Sequence, residues 1–229
     1  MKTRWSLGRI LATTLAVLIF TPILQVFVYK VVPPPITILM VQRLIEGKGI
    51  RHEWRAIDEI SPHLVNSVIA AEDSGFCQHM GFDFDAMEKA AKANERHPGK
   101  IRGGSTISQQ TAKNVFLWPG RSLVRKGLEA GYTFLIEAVW GKRRIMEVYL
   151  NVVEWGPGLY GAESASQTYF HTSARNLTAQ QASRLAAILP SPLKWRAVNP
   201  GRYVAKRSAK IGARAATVRD DDLSACALH

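Results

Sequence analysis

The sequence predicts a mainly α-helical protein, with one main domain behind a single membrane-spanning helix. Two observations predict this class: a long uncharged stretch near the N-terminus, and apolar residues that recur at helical spacing in most later segments. The chain has 229 residues, a hydrophobic content of 47% and a net charge of +12. This composition excludes a disordered chain and a small disulfide-built one, and the length is sufficient for one sizeable core.

The stretch from Ile10 to Tyr29 contains no charged residue. Its length matches about 30 Å of hydrocarbon at about 1.5 Å per residue, so we expect a membrane anchor over residues 10–32. Basic residues precede it, at Lys2, Arg4 and Arg9. The positive-inside rule then places residues 1–9 in the cytoplasm and everything after Lys30 on the outer side of the membrane. A cleaved signal peptide is the rival interpretation, but no small-x-small cleavage site follows the span.

The excess of Lys and Arg suits a partner rich in phosphate, which could be nucleic acid, an anionic membrane or a phosphorylated substrate. The chain has two cysteines, Cys77 and Cys226, without metal-ligand spacing. Neither a zinc site nor a disulfide framework is therefore supported. One bridge between them is allowed by the count, but we do not expect it, because Cys226 falls in a tail that should fray.

A helix that begins at Ser61-Pro62 carries the first candidate site. Its apolar residues recur at helical spacing, at Leu64, Val65, Val68 and Ile69. Glu72 continues this row, so its carboxylate should lie on the buried face, where burial raises the pKa toward the range that a general base needs. Gly75 and Gly81 end the helix, which suits a cleft lip carrying Phe76 and His79. The alternative is a helix-terminal acid paired with an arginine.

A second polar stretch covers residues 103–114, where two glycines lead into a helix. Thr106 and Gln109 have the spacing of a capping box. Free backbone N–H groups at such a helix start attract anions, and Lys113 could add a full positive charge beside a phosphate. The alternative is a well-capped helix with a purely structural role.

A third candidate pair lies in the helix predicted over residues 122–140. Arg125 and Glu129 are four residues apart and fall on or beside its apolar stripe. Both side chains should therefore face the interior or a cleft. They could form a structural internal salt bridge, or a second carboxylate and a cation in a phosphate-handling site.

The remaining segments are less specific. Residues 36–41 are β-branched and apolar, which predicts a short strand or an extended packing segment. Helical spacing and capping signals predict further helices, over residues 84–93, 145–151 and 178–188. The chain after Arg214 is too weakly patterned to assign, and Asp220-Asp221-Asp222 indicates a solvated cluster.

Five strings in fixed order resemble the motifs of the peptidoglycan glycosyltransferases, the family-51 transglycosylases. They are Glu72-Asp73-x-x-Phe76-x-x-His79-x-Gly81-x-Asp83, Gly103-Gly104-Ser105-Thr106-x-Ser108-Gln109-Gln110-x-x-Lys113-Asn114, Arg125-Lys126-x-x-Glu129, Lys142-x-x-Ile145-x-Glu147-x-Tyr149-Leu150-Asn151 and Gly158-x-x-Gly161-Ala162. The string from Phe116 to Ser122 resembles the monofunctional biosynthetic members.

The resemblance implies a lysozyme-like glycosyltransferase domain over residues 33–214, followed by an unassigned tail over residues 215–229. It implies polymerisation of lipid II into glycan strands outside the cytoplasmic membrane. By resemblance, Glu72 matches the general base and Glu129 the second catalytic carboxylate. Lys113 and Arg125 match the cations near the pyrophosphate. Other matched positions line the cleft, at Asp73, Phe76, His79, Thr106, Gln110 and Asn114.

Family analogy also suggests a divalent cation, Mg²⁺, between Glu129 and the pyrophosphate, although the sequence shows no metal signature. No organic cofactor is expected. The expected partners are lipid II, the nascent glycan strand and the membrane, with penicillin-binding transpeptidases or division proteins as further candidates. Rival hypotheses are a peptidoglycan-cleaving enzyme on a related fold and a catalytically silent scaffold. We expect no binding of nucleic acid, because no recognition motif accompanies the basic residues.

Overall fold

The computed structural model describes residues 6–96, 103–120 and 122–229, and these are predominantly helical. The α-helices are α1 Leu7–Val31, α2 Ile38–Ile45, α3 Pro62–Glu72, α4 Phe84–Arg96, α5 Ile107–Phe116, α6 Leu123–Val139, α7 Gly141–Val152, α8 Ala162–Phe170, α9 Ala179–Ile188, α10 Arg202–Asp220 and α11 Ala225–Leu228. The predicted mainly α class is confirmed. The Pro98-Gly99 break lies outside the described residues, as do Lys2 and Arg4.

The only sheet among the described residues is small and has three strands. They are β1 Arg51–His52, β2 Glu154–Gly156 and β3 Leu159–Tyr160, in the order β1-β3-β2. β1 runs parallel to β3 and β2 runs antiparallel to it. The sheet therefore joins the segment before α3 to the segment after α7.

Helix α1 is the membrane-anchor candidate, and it is the one helix in the described part of the chain that is long and apolar enough to span a bilayer. Its last turns contact the domain directly. The indole of Trp140 donates a hydrogen bond to the Val26 carbonyl at 2.7 Å. The Arg144 guanidinium donates to the carbonyls of Tyr29 and Val32 at 3.0 and 3.1 Å. Since a helix leaves its last carbonyls unpaired, Arg144 caps the anchor from within the domain.

The prediction of a strand at residues 36–41 is wrong, because helix α2 covers most of this segment. Thr37 accepts a hydrogen bond from the Met40 backbone N–H at 3.3 Å and caps the helix. Met40 is buried, whereas Ile38 and Val41 are exposed. A short run of β-branched residues does not distinguish strand from helix by periodicity, and here the capping threonine and one-sided burial favour the helix.

Helix α3 lies at the centre of the core. Its residues Leu64, Val65, Val68 and Ile69 have no exposed surface. It packs against α9 and α10, while α5 packs against α6 and α7. The largest side chains of the core are fully buried, at Trp155, Tyr149, Tyr160 and Phe76. The acidic pair is found at the C-terminal end of α3, which α9 and α10 hold in place.

The tail is ordered, which corrects the expectation for residues 215–229. Helix α10 continues to Asp220, and α11 follows a turn in which Asp222 has a φ of 52°. The acidic triplet is exposed, as predicted, but Ser224 and Ala227 are buried. Cys226 forms a disulfide with Cys77, with a Cα–Cα distance of 5.7 Å. The expected absence of a bridge is wrong because the tail packs against the domain instead of fraying.

Gly158 lies at the turn between β2 and β3 with a φ of +64°. A Cβ atom there would lie 2.3 Å from the Lys48 carbonyl oxygen and 2.4 Å from that of Gly49. We predict that Gly158→Ala lowers the free energy of unfolding by about 1–3 kcal/mol or more, because both the clash and the backbone strain must be relieved. Urea unfolding in detergent, followed by circular dichroism, measures this effect.

Gly131→Ala on the exposed face of α6 is the matched control, because nothing lies within 4 Å of the added methyl group. It should raise the free energy of unfolding by about 0.5–1 kcal/mol through helix propensity. Equal effects from the two substitutions would show that the contact at Gly158 does not constrain the fold.

Candidate active site

Glu72 is the last residue of α3, and its side chain is 14% exposed. The Gln110 side-chain amide donates a hydrogen bond to Glu72 Oε2 at 3.0 Å. The Tyr149 hydroxyl donates to Gln110 Oε1 at 3.3 Å. Burial raises the pKa of Tyr149 well above its usual range, so this hydroxyl keeps its proton. The tyrosine therefore fixes the orientation in which Gln110 presents its N–H group to the acid.

The Glu72 carboxyl group is held in a mixed electrostatic environment. Burial raises its pKa, while the hydrogen bond from Gln110 and the charges of Arg207 and Lys113 act in the opposite direction. Arg207 Nη2 lies 3.8 Å from Glu72 Oε1. Glu72 is mostly buried, as predicted. It also has an arginine partner, as the alternative interpretation expected. Since desolvation is the largest effect, the group is set up to accept a proton.

Asp73 and His79 tie the loop after α3 to the start of α5. Asp73 Oδ1 lies 2.9 Å from His79 Nε2, and Oδ2 accepts a hydrogen bond from the Ile107 backbone N–H at 2.9 Å. The Gly81 N–H donates to His79 Nδ1 at 3.1 Å, which leaves Nε2 as the nitrogen that donates to Asp73. Asp73 therefore supplies a negative charge to the N-terminus of α5.

The start of α5 is capped by the protein itself, so the predicted anion site there is not open. Thr106 Oγ1 accepts from the Gln109 N–H at 3.2 Å, and Gln109 Oε1 accepts from the Thr106 N–H at 3.0 Å. Thr106 Oγ1 also donates to the Gly81 carbonyl at 2.7 Å. Asp73 occupies the Ile107 N–H as well. The helix start is therefore the well-capped, structural one that the alternative interpretation of the sequence expected.

Phe76 does not line the cleft. It is fully buried in the core, and Lys142 Nζ lies 4.6 Å from its ring centroid. Asn114 on α5 is also buried, with 9% of its surface exposed. The resemblance placed both residues at the cleft, but the burial of Phe76 gives it a packing role.

Arg125, Lys126 and Glu129 form a compact charged cluster on α6. Arg125 Nη1 lies 2.7 Å from Glu129 Oε2, and Lys126 Nζ contacts Glu129 Oε1. Glu129 and Arg125 are buried, and the Arg125 Nε atom is buried without a hydrogen-bond partner in the described structure. One acid between two cations leaves this cluster with a net positive charge.

The charges of both acids, Glu72 and Glu129, act on Lys113. Burial lowers its pKa, the charge of Glu129 raises it, Arg125 and Lys126 lower it, and Glu72 raises it. A cavity of about 170 Å³ opens beside Glu72, and its lining includes Asp73, Asp83, Ser105 and Arg214. Lys113 and the cluster on α6 lie outside this lining. Glu72 and Asp73 thus share one cavity with Arg214, and the charge of Lys113 acts on Glu72 from outside that lining.

Sequence reasoning missed Arg207, and it named Lys126 and Tyr149 only as members of motif strings, without a role at the site. For Arg207 a signal exists, since it follows Val204 by three residues and precedes Ile211 by four. Both of these apolar residues are buried. A basic residue on the buried stripe of a helix is a candidate for an internal partner, and Glu72 is that partner here.

The fold and site together define a class of protein. A helical domain attached to an apolar N-terminal helix carries a buried proton acceptor and, beyond its cavity, fixed positive charge. This combination suits an enzyme that activates a hydroxyl group and stabilises an anionic leaving group.

Comparison with known proteins gives the family. The family model described as transglycosylase matches residues 40–216. A protein of Caulobacter vibrioides named biosynthetic peptidoglycan transglycosylase is 59% identical over 220 residues, covering 96% of each chain. A protein of the same name from Rhodospirillum centenum is 53% identical over 201 residues, covering 87% of each chain. The chain belongs to the transglycosylase family, and the predicted lysozyme-like class behind one N-terminal apolar helix is confirmed.

Arg207→Gln should raise the pKa of the Glu72 carboxyl group further, because it removes a positive charge 3.8 Å away while burial persists. The pH titration of the Glu72 carboxyl carbon, followed by ¹³C NMR, measures this shift. Lys206→Gln is the control, since Lys206 is the neighbouring residue on the exposed side of α10. If both variants titrate like the wild type, Arg207 does not set the ionisation of Glu72.

Proposed function

We propose that the protein polymerises peptidoglycan glycan strands, transferring the growing chain from undecaprenyl pyrophosphate to a sugar hydroxyl of lipid II. The family match and the names of the relatives support this activity. The single observation that carries the mechanism is the buried carboxyl group of Glu72, whose pKa is raised by desolvation and which Gln110 holds in place.

In this proposal the Glu72 carboxylate removes the proton from the acceptor hydroxyl group. The acceptor oxygen forms a bond to the anomeric carbon of the growing chain while the bond from that carbon to the pyrophosphate breaks. The pyrophosphate leaves with the bonding electron pair, and the proton stays on Glu72. A single displacement with one activating carboxylate inverts the anomeric centre, as in inverting glycosidases, with a sugar hydroxyl in place of water.

Pyrophosphate is a stable anion, so the leaving side needs positive charge more than a proton donor. We assign this role to Lys113 and Arg125. Glu129 contacts both Arg125 and Lys126, and it thereby holds two cations close together. We assign Glu129 the role of organising this cluster.

A divalent cation at the pyrophosphate stays a prediction. Mg²⁺ takes oxygen ligands, but both oxygens of Glu129 already contact cations, at Arg125 and Lys126. The described residues include no group of three His, Cys, Asp or Glu that could hold a metal. Mg²⁺ at phosphate groups needs only one or two carboxylates from a protein. In this proposal the protein's own positive charge comes from Lys113 and Arg125. The transfer as proposed also requires no organic cofactor.

We place the catalytic domain on the periplasmic face of the inner membrane, with α1 as a single-pass anchor. Lipid II and the nascent strand both carry lipid tails, so an anchored enzyme meets them in the plane of the bilayer. The direct contacts of Trp140 and Arg144 with α1 support a domain held close to that plane. We propose penicillin-binding transpeptidases or division proteins as its protein partners, and no nucleic acid.

Glu72→Gln should reduce the polymerisation of labelled lipid II by about 10²–10⁴-fold, because the amide cannot accept the hydroxyl proton. Gel separation of muramidase-sensitive polymer measures the rate. Glu95→Gln on the exposed face of α4 is the matched control and should retain wild-type turnover. Near-normal turnover of Glu72→Gln would remove Glu72 as the base. Release of soluble muropeptides from sacculi, without polymer formation, would instead favour a peptidoglycan-cleaving enzyme.

The pH profile of kcat/KM should be bell-shaped. Because burial raises the pKa of Glu72, activity should fall as the pH drops through that pKa and the base becomes protonated. Because burial lowers the pKa of Lys113, activity should fall again as the pH rises through that pKa and the ammonium loses its charge. Lys113→Arg should extend the alkaline limb to higher pH, since a guanidinium stays charged. An alkaline limb that does not move would exclude Lys113 as its source.

A further inference from the structure

The Cys77–Cys226 disulfide joins the loop that follows Glu72 to the C-terminal end of the chain. The two cysteines are 149 residues apart in the sequence. Cys77 stands five residues after Glu72, inside the segment between Asp73 and His79. These two residues are hydrogen-bonded to each other at 2.9 Å. The bridge is therefore attached to the loop that carries the Asp73 hydrogen bonds.

The loop is held from two sides at adjacent positions. Phe76 is fully buried and packs into the core, and Cys77 is half-buried beside it. The Phe76 contact fixes the inner side of the loop, where Lys142 lies over the ring. The disulfide fixes the other side, because it ties the next residue to α11.

The tail on the other end of the bridge is short. Helix α11 has four residues, which is too few for a stable isolated helix. It packs against α7, where Ala227 is fully buried and Arg143 Nη1 donates a hydrogen bond to the Leu228 carbonyl at 2.6 Å. Its position therefore depends on few contacts, and the covalent bond to Cys77 is the strongest of them.

The preceding helix, α10, brings the tail back to the active site. It packs against α3 and α9, and it carries Arg207 at 3.8 Å from Glu72. The bridge thus closes a ring that runs from Glu72 through Cys77 and Cys226 and along α10 to Arg207. Both neighbours of the acid, the loop after it and the arginine beside it, belong to segments that the disulfide joins.

We propose that the Cys77–Cys226 disulfide positions the active site, holding the loop after Glu72 and the C-terminal helices together so that full transferase activity requires the oxidised chain. The inference rests on the proposed role of Glu72. The bridge forms when two thiols lose two protons and two electrons to a disulfide-bearing oxidoreductase, by thiol–disulfide exchange. Such bonds persist in the bacterial periplasm, where we place this domain.

The test compares the full-length protein in detergent before and after reduction. Alkylation and mass measurement count the free thiols, and circular dichroism verifies that the reduced protein is folded at the assay temperature. We expect no free thiol as isolated, and after reduction a fall in kcat of about tenfold, since small displacements of a catalytic group are costly. Reoxidation should restore kcat. The ¹³C titration of Glu72 should also shift on reduction, which a purely structural bridge far from the acid would not cause.

Cys77→Ser/Cys226→Ser is the matched control, because it removes both cysteines of the chain. It should have the low kcat of the reduced wild type and should not respond to reductant. Two free thiols in the full-length protein as isolated from membranes would overturn the proposal. A folded, reduced wild type with unchanged kcat and unchanged Glu72 titration would also overturn it. If the double variant does not fold, the reduced wild type decides. If the oxidised wild type makes no polymer, the proposed function fails. The thiol count and the Glu72 titration then still show whether the bridge forms and whether it positions Glu72.

Discussion

The burial of one carboxyl group at the end of a core helix is the constraint on which this structure depends. Helix α3 has a continuous buried row from Leu64 to Ala70, and its apolar row leads directly to Glu72. The packing that stabilises the fold thus removes water from the acid and raises its pKa. Such burial is tolerated because Gln110 and Arg207 each supply a favourable contact. Stability and proton affinity therefore have the same physical source.

Local patterns predicted the parts of the site that depend on local geometry. The row from Leu64 to Val68 indicated that Glu72 is buried, because a helix repeats its faces every three to four residues. The spacing of Thr106 and Gln109 predicted a capping box that the structure contains. The same spacing did not show that Asp73, from another segment, would occupy the helix start. A capping signal identifies a helix terminus but not the groups that approach it from elsewhere in the chain.

Features that depend on distant contacts were not predictable in the same way. Residues 36–41 are compatible with a strand or a helix, and only packing against the rest of the domain decides between them. Cys226 lies in a weakly patterned tail, and its proximity to Cys77 requires α10 and α11 to fold back across the domain. Arg207 and its carboxyl partner, Glu72, are 135 residues apart in the sequence (207 − 72). Periodicity carries no information about pairs this far apart.

The proposed membrane anchor, α1, is joined to the domain by hydrogen bonds to its last carbonyls. Arg144 holds the last carbonyls of α1, and Trp140 holds one a turn earlier. In a bilayer that thickens or thins, a spanning helix moves or tilts to match the hydrocarbon layer, and a domain joined to its end moves with it. Adding one turn to α1 would lift the domain by about 5.4 Å. With α1 as the proposed anchor, the length of the apolar segment thus sets the height of the domain above the membrane.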